Sequence, residues 1–108
     1  MSNAERDAAF MAVKAAAIGL VPAQFSAAAT PYITDDKILT IASIALEAAP
    51  HLTEHVHARA MVKEAVIEMV PALIRGMAFQ YITDDKVAIV TDAALSAALK
   101  VRAGTADA

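Results

Sequence analysis

"YITDDK" stands at residues 32–37 and again at 81–86, and "VPA" precedes the two copies at 21–23 and 70–72. Both echoes keep one offset of 49 residues, and the match runs well past the two strings. Val13-Lys14 falls on Val62-Lys63, Ile18 on Ile67, Phe25 on Ile74, Ile38 on Val87, Ile41 on Val90 and Leu46 on Leu95. A match this long at one offset is what a duplicated supersecondary unit looks like. Two copies are fewer than a solenoid needs, so the pair is expected to pack face to face as one bundle.

Each unit reads as helix, interruption, helix. Val62, Val66, Met69, Val70, Leu73 and Met77 follow the spacing of one helical face, with Lys63, Glu64 and Glu68 off it. Val13, Ala17, Leu20 and Val21 repeat the start of that stripe. Pro22 and Pro71 each remove a backbone donor and clash with the preceding turn, which predicts a kink or a restart as a short second segment. Gly19 favours a true break in the first unit more than in the second.

The repeated hexapeptide then reads as a joint between helices. Thr34 and Thr83 sit where an N-cap belongs, and their hydroxyls are expected to accept from amides of the following turn. Asp35-Asp36 and Asp84-Asp85 occupy the first turn, where the helix dipole favours negative charge. Tyr32-Ile33 and Tyr81-Ile82 are placed to pack back on the next helix as a staple. The stripes Ile38, Ile41, Ala45, Leu46, Ala49 and Val87, Val90, Ala94, Leu95, Ala98 follow at once. As a calcium or magnesium site the carboxylate pairs bring too few oxygens, and the glycine-containing loop of an EF-hand is missing.

The fold class expected is therefore all-α: two tandem helical hairpins packed as a four-helix bundle-like domain, with short extra segments after Pro22 and Pro71. The domain is read as residues 1–101, in repeats of about 1–49 and 50–101, with 102–108 a flexible tail. No cysteine is present, so disulfides and thiolate chemistry are out. A formal net charge of −3 argues against a protein that neutralises phosphates, and no nucleic-acid partner is expected. The stretch 11–29 imitates a secretory signal, but Glu5, Arg6 and Asp7 precede it and a related stretch lies mid-chain at 61–78. It reads as structure, no membrane span is expected, and a cytoplasmic location follows as the expectation.

All three histidines fall in "PHLTEHVHAR" at 50–59. His51, Glu54 and His55 match H-x-x-E-H, in which two histidines one helical turn apart bind zinc beside a glutamate base. With Pro50 at a first helical position the three would share a face, and His57 could join them as a ligand. If Thr53 is instead the N-cap, His51 falls outside the helix and the geometry is lost. The first unit carries Ser2, Glu5 and Arg6 at the matching positions, so the cluster is no part of the shared scaffold. The simpler reading is a solvated turn between repeats.

Other catalytic motifs are missing: glycine occurs only at 19, 76 and 104, and no G-x-S-x-G elbow is present. What stands out is 58% hydrophobic against 19% charged residues, where soluble domains average about 45–50% and about 25%. Leu39, Ile44, Ile67 and Ile89 are apolar outside the main stripes, so apolar surface is either exposed or covered by a partner. The favoured reading is a non-enzymatic assembly or interaction protein acting as a homo-oligomer. One alternative is a metal-binding or zinc-dependent protein using His51, Glu54, His55 and His57. Another is a bundle that binds a small apolar ligand, in a pocket left unfilled by Phe25, Ile74 and Met77.

Overall fold

Proline decides where the helices stop. In the computed structural model, which describes residues 3–104, α1 spans Asn3–Leu20 and α4 spans His55–Met69, each ending two residues before a proline. Val70 is extended (φ −71°, ψ 129°), as a residue ahead of proline must be. Beyond Pro22 and Pro71 the chain restarts as a 3-10 turn, a single α-turn and a second 3-10 turn. The single α-turns are α2 (Ser26–Ala29) and α5 (Arg75–Ala78). Two long helices, α3 (Asp35–Ala48) and α6 (Asp84–Arg102), follow. All described elements are helical.

Three expectations need correction. The break is equally complete in both halves, and nothing crowds the Cβ position of Gly19, so proline and not glycine ends α1. The stripe does not continue through residue 77: Leu73 and Met77 lie past the break and are 96% and 67% exposed. Thr34 and Thr83 do hold the extended N-cap backbone, and their carbonyls accept from Ile38 and Val87, but their hydroxyls make no capping bond. Those hydroxyls are buried beside Asp36 and Asp85, with no well-formed hydrogen bond. Their proximity still holds both carboxyls below the ordinary aspartate range, more than the local backbone does.

Among the described residues the core lies almost entirely at matched positions. Ala9 and Ala58, Val13 and Val62, Ile38 and Val87, Ala45 and Ala94, Leu46 and Leu95, and Ala49 and Ala98 are all buried. Ala42 is matched by Thr91, both fully buried. Half of these apolar positions are alanine, which lets helix axes approach closely. The most extensive contacts run from α1 to α6 and from α3 to α4, with α1–α3 and α4–α6 less extensive. Each half therefore completes its packing on helices of the other.

Long-range polar contacts tie the ends together. Arg102, read from the sequence as the start of the tail, is the last residue of α6. Its Nε and Nη2 meet buried Glu5 of α1 at 2.9 Å, and Nη1 donates to the Pro50 carbonyl at 2.9 Å. The expectation of a loose tail at 105–108 lies outside the described residues. Lys14 pairs with Asp35, and at the matching positions Lys63 pairs with Asp84. Between the halves Leu52 takes a left-handed φ of 63°, a strained choice for leucine, while burying its side chain and donating to the Ala49 carbonyl at 2.8 Å.

Candidate functional site

The two proline breaks border a shared opening. Ile41 and Val90 continue the buried stripes of α3 and α6 but stay half-buried, on one wall of a cavity whose other walls include residues that follow Pro22 and Pro71. This open-mouthed apolar groove has a volume of about 570 Å³. Matched residues of both halves line it: Ala17 with Val66, Leu20 with Met69, Phe25 with Ile74, Tyr32 with Tyr81, Ile38 with Val87, and Ile41 with Val90. The volume falls in the range of about 300–1,000 Å³ typical of small-molecule sites.

Phe25, Ile74 and Met77, the residues from which the sequence suggested an unfilled pocket, all line this groove. Phe25 crosses between the halves to meet Tyr81 edge-on, with ring centroids 5.2 Å apart. That geometry suits the aromatic quadrupole and anchors the first short segment against the second joint. Met77 lines the groove while remaining 67% exposed, so it stands at the mouth.

Charge enters the lining only through Lys37 and Lys86, the last residues of the two hexapeptides. Each ammonium lies over the tyrosine of its own hexapeptide, Lys37 at 5.9 Å from the Tyr32 ring and Lys86 at 5.8 Å from that of Tyr81. The stacking is a cation–π contact. Among the described residues Lys14 and Lys63 are ion-paired, and Lys37 and Lys86 make no ion pair. The two groove cations had no separate signal in the sequence beyond their place in the repeated string. Among the described residues no carboxylate, histidine, serine or cysteine lines the cavity, so its walls supply packing, two tyrosines and two positive charges.

The histidine segment is arranged differently from a helical H-x-x-E-H. α4 begins at His55 with Glu54 as N-cap, which leaves His51 and Pro50 in the preceding turn. Glu54 turns back, and its Oε2 accepts the backbone N–H groups of His51 and Thr53, both at 3.3 Å. Burial works to raise the Glu54 carboxyl, but the backbone donors outweigh it and the group lies below its ordinary range. His55 points elsewhere: its Nδ1 meets Asp92 Oδ1 of α6 at 2.7 Å. Arg59, one turn along α4, grips the same carboxylate at both oxygens, 3.1 and 2.6 Å. His57 is exposed. No group of three or more metal-ligating side chains gathers among the described residues.

Asp92 is thus the hub of a charged cluster that the sequence did not announce, since Asp92 lies 37 residues from His55 and follows no spacing rule with it. The Arg59 guanidinium, more than His55, holds the Asp92 carboxyl below the ordinary aspartate range against a partial burial that raises it. No helix is long and apolar enough to cross a membrane among the described residues. Comparison with protein-family models, with curated proteins and with solved structures found no match.

Proposed function

We propose that this chain is a duplicated helical-hairpin domain, bundle-like in its four long helices, that binds a small and largely apolar ligand in the groove between its halves. The observation that carries this reading is the groove itself. A cavity of about 570 Å³ is walled by apolar side chains from both halves, and in each half it is lined by residues before and after the same proline break. A bundle that needed only to fold would let α1 and α4 run on and cover Ile41 and Val90. Leaving them half-covered costs burial worth about 25 cal/mol per Å², which an apolar ligand would restore on binding.

The chain carries its own reporter for the test. Tyr32 and Tyr81 are its two tyrosines, tryptophan is absent, and both rings line the groove. Titration with decanol is expected to change tyrosine emission along a saturable curve. Filling the groove with Ala29→Leu and Ala78→Leu is expected to weaken that binding by about tenfold or more. A flat titration, or a filled variant that binds as before, overturns the reading.

A second reading, self-association, is favoured by one specific observation. Leu73, Met77 and Phe79 of the second short segment are 96%, 67% and 55% exposed. The matching positions in the first half are Gln24, Ala28 and Thr30. An exposed apolar cluster confined to one of two related segments suits a contact with another copy. Light scattering coupled to size exclusion over a wide concentration range tests it, with a dimer or larger particle expected and a monomer at all concentrations overturning it.

A further inference from the structure

We infer that the ligand of the groove is an amphiphile with an anionic head, a single-chain carboxylate being the simplest member of that class. The inference rests on the groove reading above and adds the charge of the occupant. Three observations meet here. The walls are apolar apart from the two tyrosine hydroxyls and two ammonium groups, Lys37 and Lys86, one from each half. Neither ammonium makes an ion pair among the described residues, and Asp36 and Asp85, next to them in the chain, attract them only at longer range. Each is held over a tyrosine ring at the cavity wall instead, 5.9 and 5.8 Å from the centroids.

The contrast with the lysines of the preceding long helices is informative. Lys14 and Lys63, on α1 and α4, are engaged by Asp35 and Asp84, the first acids of the two joints. The first acid of each joint thus serves α1 or α4, while the lysine two residues on stays at the groove without an ion pair. A cation beside an apolar wall is a strong attractor for an anion, because hydrogen bonds to charged groups exceed neutral ones and the low local polarity strengthens them. A neutral apolar ligand would leave each ammonium with only the longer-range attraction of the preceding aspartate, Asp36 or Asp85. A cationic amphiphile would meet like charge. The overall charge of −3 works the other way, so a preference for an anion has to come from the groove.

Three probes with the same chain separate the possibilities: decanoate, decanol and decylammonium, each followed by tyrosine emission and by calorimetry. Decanoate is expected to bind at least tenfold more tightly than decylammonium, a preference that weakens with added salt. Replacing both lysines (Lys37→Met with Lys86→Met) is expected to remove that preference, so that decanoate and decylammonium bind within about threefold of one another. Decanol binding with no preference for decanoate over decylammonium, or a preference that survives the double replacement, overturns the anionic head and leaves the groove reading standing. No saturable binding of any of the three overturns the groove reading itself. Should the double variant fail to fold, the comparison of decanoate with decylammonium on the unaltered chain still decides.

Discussion

The two halves of the chain agree at most buried positions and in the joint that starts α3 and α6, and part company on other faces between helices. Ala9, Val13, Ala45 and Leu46 have the same residues at their matched buried positions, Ala58, Val62, Ala94 and Leu95. On the faces between helices the halves use different means. In the first, Phe10 packs against the core with the Lys14 ammonium 5.8 Å from its ring. In the second, the matched position is Arg59, which joins His55 in holding Asp92, where the first half has Ser43. The short segments differ too: Arg75 donates to the Val70 and Glu68 carbonyls and so caps the end of α4, while the first half carries serine at 26. Close packing constrains volume at each buried site, so the core drifts little. Half-exposed sites can exchange an aromatic contact for an ion pair at little cost, since exposed pairs are worth only about 0–1 kcal/mol.

That comparison can be broken most forcefully in the core. Leu46→Ala and Leu95→Ala should each cost about 2–5 kcal/mol and agree within about 1 kcal/mol, as equivalent sites in one shared core. Denaturant midpoints measure both, and a large inequality would mean that the halves fold as unequal partners. Next comes the clamp that only one end of the molecule has. Arg102→Met leaves buried Glu5 without its guanidinium and is expected to cost about 2–3 kcal/mol, less than for a fully buried pair because the arginine is half-exposed.

The matched pair Ala42 and Thr91 sharpens the comparison. The Thr91 hydroxyl is buried without a hydrogen bond among the described residues. Thr91→Val keeps the shape and removes the orphaned group, so a gain of about 1 kcal/mol is expected, whereas Ala42→Thr should lose about 1–3 kcal/mol. Thermal melts of the two variants read opposite signs if the sites are equivalent.

Smaller still is the Asp92 cluster. Its carboxyl is depressed in the folded state, so its contribution is present above the ordinary value of 3.8 and fades as pH falls through the lower folded value. Asp92→Asn should cost about 0.5–1 kcal/mol near neutrality, and the gap should narrow as pH falls below the ordinary aspartate value and through the lower folded one. A gap constant with pH would place the effect in packing and not in charge. The smallest stability change is expected from making the second short segment like the first, with Leu73→Gln, Met77→Ala and Phe79→Thr together. Such exposed replacements should move stability by no more than about 0.5 kcal/mol. Any self-association seen by light scattering should nevertheless disappear.

The sequence by itself determined what is local. The offset of 49 aligned the short segments, the ends of α1 and α4 and the starts of α3 and α6, the prolines placed both breaks, and Thr34 and Thr83 marked where α3 and α6 begin. These follow from backbone donors, sterics and period, which act within a turn or two. Tertiary structure decided what depends on partners distant in the chain. Helical spacing marks Ile38 and Ile41 as one face, but only the packing of α1 on α6 and α3 on α4 buries the first and leaves the second in a groove. The same holds for Arg102, whose partners Glu5 and Pro50 lie 97 and 52 residues away. It holds again for His55, which the sequence grouped with Glu54 and the fold assigned to Asp92. A side chain takes the strongest partner within reach, and reach across helices is set by how closely the alanine faces let their axes approach.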